Sequence, residues 1–143
     1  MMRQLYIRFT TALNKPDLAI LLLRITYGLL IFHGWHKVHD GLAGIEGMLA
    51  GYGVPAFVAY GVIIGEVIAP IMIMLGIFTR LAALSAAATM VVAWLMVGIH
   101  QTFALSPVGA WAIEDIVYYF MAAVVIALYG SGRYSVMSNP VYR

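Results

Sequence analysis

Residues 18–37 read LAILLLRITYGLLIFHGWHK. Twenty helical residues rise about 30 Å, the thickness of a bilayer's hydrocarbon core. The stretch is apolar except at Arg24 and at its His-Gly-Trp-His-Lys end, so a membrane-spanning helix is expected over about 18–37. Pro16 and Asp17 precede it. Proline presets a helical φ and lacks an N–H that the first turn would leave unused anyway. A basic leader with Arg3, Arg8 and Lys15 comes first, as it would in a signal peptide. However, the apolar run is long, holds Arg24 and ends without a small-residue cleavage site, so a retained span is expected.

The pattern recurs at about 55–78, 80–99 and 111–129. Gly51, Gly53 and Pro55 punctuate the entry to the second stretch, and Ser106, Pro107 and Gly109 that to the fourth. Gly76 and Thr79-Arg80 leave so short a link that the second and third stretches must form an antiparallel hairpin. Hydrophobic residues make up 64% of the 143 and charged ones 10%, against about a quarter charged in a soluble domain. Too few polar groups remain to cover a surface in water. The expected fold is therefore all-α: one polytopic domain over 1–143, a bundle of four transmembrane helices in contact with lipid. Arg3, Arg8, Lys15, Arg80, Arg133 and Arg143 fall on one side of that arrangement, and only Lys37 on the other. By the positive-inside rule both termini face the cytoplasm. In the first outer loop Leu42, Ile45, Met48 and Leu49 recur at helical spacing, which predicts a short interfacial helix.

No basic patch interleaved with aromatics occurs in a solvated segment, which argues against a nucleic-acid partner. The chain has no cysteine, which excludes disulfides and thiol chemistry by its own side chains. Small residues at helical spacing, namely Gly61, Gly65 and Ala69, then Ala82, Ala86 and the Ser85/Thr89 pair, then Ala122, Ala123 and Ala127, are expected to be packing seams.

Charge at membrane depth costs about 2.5–3.5 kcal/mol by insertion scales, so each such residue needs a partner or a task. Counting about 1.5 Å per residue puts Arg24 and Glu66 near enough in depth for a pair between the first and second spans. That pair either fixes helix register or lines a polar pocket. A second group gathers at the outer ends. His33, His36 and Lys37 occupy i, i+3 and i+4 of the first span, His100 ends the third, and Glu114 and Asp115 begin the fourth. Such a group can exchange protons or close the bundle through hydrogen bonds. His33, His36 and His100 are also the candidates for holding a metal or haem, although hydrogen bonding is the simpler reading. Arg24 and His33 lie nine residues apart, about half a turn round the helix. Either the first span is buried on two sides or one of its faces meets another chain.

The Leu-Leu-Leu-Arg-Ile run at 21–25, His33-Gly34-Trp35-His36-Lys37, Gly53-Val54-Pro55, Gly65-Glu66, Leu75-Gly76-Ile77-Phe78-Thr79-Arg80 and Gly130-x-Gly132-x-x-Ser135 together resemble the DoxX family, over about 20–135. Val136 stands where the family carries an acidic residue, and His36 where glutamine is commoner. The resemblance implies a four-helix protein of the bacterial inner membrane. The family's founding type is a small subunit of a thiosulfate:quinone oxidoreductase, and other members associate with secreted redox or stress-defence proteins. The leading expectation is thus a small membrane subunit of a respiratory or redox complex beside a quinone pool, any oxidoreductase activity being exercised with partner chains. The alternatives are a non-catalytic accessory anchor for a larger assembly, and a small-molecule or ion carrier that would need a homo-oligomer to form its path. A self-sufficient hydrolase or transferase is not expected, for no nucleophile motif or phosphate loop is present.

Overall fold

Proline and glycine set the breaks between helices in the computed structural model, which describes residues 1–143. The basic leader is itself helical, as α1 (Met2–Leu13). Pro16 opens α2 (Pro16–Asp40). The short outer helix expected in the first loop is α3 (Ala43–Gly51). Two long helices follow, α4 (Ala56–Leu75) and α5 (Thr79–Gln101), and then α6 (Glu114–Tyr129).

Helices α2, α4 and α5 are long and apolar enough to cross a membrane, whereas α6 has 16 residues. Helix α6 begins three residues later than the sequence suggested because Trp111–Ile113 close a looped turn instead. The Ala112 N–H donates to the Ala104 carbonyl at 3.1 Å, and the Trp111 indole N–H donates to the Thr102 carbonyl at 2.7 Å.

The long helices are not uniform. In α2 the Leu29 and Leu30 N–H groups donate three residues back, to Thr26 and Tyr27, which tightens the helix midway. Ile64–Ile68 of α4 and Trp94–Gly98 of α5 are π-helical turns. Pro70 follows the first of these, and it has no N–H to offer the Glu66 carbonyl four residues back. A widened turn next to a proline is the expected relief.

The four helices close a ring: α2 packs on α4, α4 on α5, α5 on α6, and α6 on α2. Only 26 of 143 residues are buried, far too few to hide a chain this apolar. Exposed Leu22, Phe32, Leu81, Leu84, Leu95 and Leu128 make the bundle's outer surface one that suits lipid. The core is narrow, with Ala82, Ala83, Ala86 and Ala87 of α5 at its centre beside Ile73, Ala123 and Ile126. Three of the expected seams meet there. A Cβ on Gly65 would fall within the Thr89 side chain, so α4 and α5 touch through that glycine. Gly61 faces open space and takes no part.

One end of the bundle is tied by Arg24, which is 1% exposed. Its Nε donates to the Ile73 carbonyl at 2.7 Å and its Nη2 to Met74 at 2.9 Å. Its Nη1 donates to Ser131 at 2.5 Å and Tyr134 at 2.6 Å. The first two acceptors belong to the last turn of α4, where carbonyls run short of helical N–H partners; the Ile73 carbonyl also accepts from the Gly76 N–H at 3.2 Å. The other two belong to the tail after α6. Gly76 takes the left-handed conformation at φ 76°, and a Cβ there would lie 2.5 Å from both Arg24 Nη2 and Ser135 Cβ. The tail is fixed further by Val136 N–H to the Leu75 carbonyl and by Arg133 N–H to Asp17 Oδ1, both 2.9 Å. Arg80 treats α6 likewise, donating to the carbonyls of Ala127, Leu128 and Tyr129.

Arg24→Met should lower the thermal unfolding midpoint of the detergent-solubilised protein. Four bonds at the roughly 0.6 kcal/mol typical of membrane interiors sum to about 2 kcal/mol. Arg24→Lys should recover little of this, because a point-like ammonium cannot reach two separate carbonyl pairs. A midpoint equal to the parent's in both variants would show that the tail is held by other contacts.

Candidate functional site

The other polar node forms where α2 crosses the π-helical turn of α4. Gly34 is buried against that turn, and a Cβ on it would lie 2.6 Å from the Glu66 carbonyl oxygen. Glu66 is therefore level with Gly34. Lys37, three residues further along α2, turns back to it, and Lys37 Nζ lies 2.7 Å from Glu66 Oε1. The carboxylate side chain is 5% exposed and the lysine 30%. Glu66 is thus sunk in the bundle, while the lysine's ammonium reaches it along a flexible stem.

The pair borders a cavity of about 400 Å³. His33, one turn before Lys37, lines it from α2, and Asp115 and Tyr119, one turn apart, line it from α6. Leu30, Met90, Ala93, Val97 and Ile116 complete the wall. A second cavity of about 350 Å³ shares Met90 and Ile116 with the first and is otherwise apolar but for Thr102, with Trp94, Trp111 and Phe120 on its wall. The Trp94 indole N–H is taken by Thr102 Oγ1 at 2.9 Å, which accounts for a tryptophan placed within a span. Two buried polar atoms in this region have no hydrogen-bond partner: Glu66 Oε2 and the Tyr27 hydroxyl. The Tyr27 ring meets that of Tyr119 edge-on, with centroids 5.9 Å apart.

The expected Arg24–Glu66 pair does not form. Glu66 is level with Gly34, ten residues or about 15 Å along α2 from Arg24, beyond the reach of an arginine. Each residue found a different partner: Arg24 the carbonyls of a helix end, and Glu66 the lysine of the outer cluster. The outer cluster also divides. His33, Lys37 and Asp115 come together at the cavity. His36 turns away, its Nε2 lying 3.2 Å from Asp40 Oδ2 on an exposed stripe. His100 and Glu114 do not line the cavity. His33, His36 and His100 do not converge, and no group of three or more His, Asp or Glu side chains is placed to hold a metal ion. Tyr27 and Tyr119 are the residues that sequence reasoning passed over. Tyr119 follows Asp115 by four, and that spacing was a readable sign of a shared helix face.

The arrangement can bind a polar head among groups that both donate and accept hydrogen bonds, with an apolar cleft beside it. It can also pass a proton between a carboxylate and a histidine. A family model described as DoxX matches residues 19–99, which take in α3, α4 and nearly all of α2 and α5. No curated protein and no solved structure matches the chain.

Lys37→Met alone should lower the unfolding midpoint more than the double variant Lys37→Met/Glu66→Gln. Removing one partner strands a buried charge, at a cost of about 3–5 kcal/mol, whereas removing both charges can be near neutral. The check is a double-mutant cycle of thermal melts in one detergent. Equal losses in the single and double variants would mean that the pair contributes no coupling.

Proposed function

Since the chain belongs to the DoxX family, we propose that it is a small membrane subunit of a redox complex whose polar cavity receives the head group of a quinone. In this reading the whole chain is one domain that crosses a bacterial inner membrane four times, with both termini cytoplasmic. Support for the fourth crossing comes from the packing of α6 along α5 and α2 and from the burial of Ala123 and Ile126 within the core. Support for the orientation comes from the gathering of Arg80, Arg133 and Arg143 at the end of the bundle where α2 begins, after Arg3, Arg8 and Lys15.

The observation that carries the site is Glu66. It is a nearly buried carboxylate with one oxygen on Lys37 and the other without a partner, beside a cavity of about 400 Å³. That volume is of the size that holds small ligands, and the cavity has the usual makeup of an apolar wall with a few convergent polar groups. Its residues fit a quinone in kind. Lys37 and His33 would donate to ring oxygens, Glu66 and Asp115 would hold or release protons, and the Met90–Ile116 side would meet an apolar tail. A bound quinone supplies the capacity to take up two electrons and two protons, and the electrons would come from a partner chain. The lysine holds one carboxylate oxygen in place and leaves the other to face a ligand.

The second reading, an accessory anchor, rested on polar residues on opposite sides of the first span. Within the chain these two sides are used by Arg24 and by the His33–Lys37 face, so that pattern no longer calls for a partner.

The test is quinone binding to the protein in lipid nanodiscs, with quinone content measured after extraction. Glu66→Gln and His33→Ala should each weaken binding about ten- to a hundred-fold, the equivalent of one charge-assisted hydrogen bond. Binding unaltered in both, with melting midpoints intact, would rule the cavity out as a quinone site.

A further inference from the structure

Helix α1 buries no residue and makes no extensive contact with another helix. Met2, Leu5, Tyr6, Phe9 and Leu13 are linked by three- and four-residue spacings (2/5, 2/6, 5/9, 6/9 and 9/13), which places them on one face. All five are exposed, between 62% and 83%. The opposite side carries Gln4 and Thr11, interrupted only by Ile7, and Thr10 lies at the border of the apolar face. The Thr10 hydroxyl is already used, donating to the Tyr6 and Ile7 carbonyls at 3.0 Å.

The charges are arranged about that face. At about 100° per residue, Arg3 and Arg8 each fall some 110° from the centre of the apolar face, on either side of it. Lys15 follows at the end, and no Asp or Glu occurs before Asp17. A helix with an apolar face bordered by cations on both edges suits one environment, the junction between acyl chains and anionic head groups. The apolar side chains enter the lipid, while the arginine stems run along it and deliver their guanidinium groups to phosphates. A protein groove would take the apolar face equally well, but it would leave unexplained the two arginines at the edges and the absence of any acid. Only Asn14 and Lys15 separate α1 from Pro16, where α2 begins. The helix is therefore tethered within a few ångströms of the leaflet that α2 enters.

We infer that α1 lies flat on that leaflet as an anionic-lipid-binding helix, with Leu5, Tyr6 and Phe9 inserted and Arg3 and Arg8 on lipid phosphates. Its contact is with lipid, independent of the cavity and of any quinone.

The absence of cysteine allows a clean test on the full chain. Leu5→Cys, Phe9→Cys, Gln4→Cys and Thr11→Cys are each labelled with an environment-sensitive fluorophore and reconstituted into phosphatidylcholine/phosphatidylglycerol vesicles. Labels at positions 5 and 9 should emit to the blue, be quenched by nitroxides carried just below the lipid head groups, and resist aqueous iodide. Labels at positions 4 and 11 should show the reverse. In vesicles of phosphatidylcholine alone, or with Arg3→Gln/Arg8→Gln, iodide quenching at position 5 should rise several-fold. Equal iodide quenching at all four positions in the anionic vesicles would overturn the inference. So would protection of positions 5 and 9 without lipid-nitroxide quenching, the signature of a second copy or another protein covering the face.

Discussion

A carbonyl at the end of a helix has no N–H to accept from, and in this protein arginine supplies what the helix cannot. Arg24 donates to four carbonyls drawn from α4 and from the chain after α6. Arg80 does the same for the last turn of α6. Lipid offers no hydrogen bonds in exchange, so an unsatisfied carbonyl near the bilayer core costs several kcal/mol. The guanidinium's charge meanwhile suits the negative end of the helix dipole. One arginine in the first span thus joins the start of the bundle to its finish, and three elements meet where the chain would otherwise have had three separate ends.

That knot frees the opposite end to be different. Around Arg24 each guanidinium nitrogen donates to a carbonyl, and glycine at 76 lets the chain pass close. Around Glu66 the matching is incomplete. The carboxylate has one cation on one oxygen, and two buried atoms are left over. The backbone there also departs from the α-helix, being π-helical ahead of Pro70. A proline that withholds an N–H, a glycine on the facing helix and a widened turn give α2 and α4 room to meet with polar groups between them. One end of the bundle is a closed polar knot, and the other borders a cavity.

The short motifs dispersed through the chain acquire reasons in this arrangement. Leu-Leu-Leu-Arg-Ile, Leu75-Gly76 and Gly130-x-Gly132-x-x-Ser135 are distant in sequence and adjacent at the knot. His33-Gly34-Trp35-His36-Lys37 and Gly65-Glu66 meet at the cavity. Within the first of these, Gly34 is the point of approach, Lys37 the partner and His33 a wall residue, while His36 serves an exposed pair with Asp40.

Composition and periodicity were enough to indicate an all-α chain with apolar helices, the hairpin at Gly76 and the short helix of the first loop. These follow from local chemistry: apolar run length, proline, glycine and the shortness of a link. The sequence also identified Arg24, His33, Lys37, Glu66 and Asp115 as residues that needed partners. It could not assign the partners. Depth counted along separate helices ignores how far one slides past another, and Gly34 on the Glu66 carbonyl set that offset some 15 Å away from Arg24. Nor does a charge count reveal that a cation will choose backbone carbonyls over a carboxylate, since those acceptors exist only where helices end in space. Which polar groups must be answered is written along the chain. Which group answers each was decided by the packing of α2 on α4, because hydrogen bonds act over about 3 Å and only tertiary structure brings groups so close.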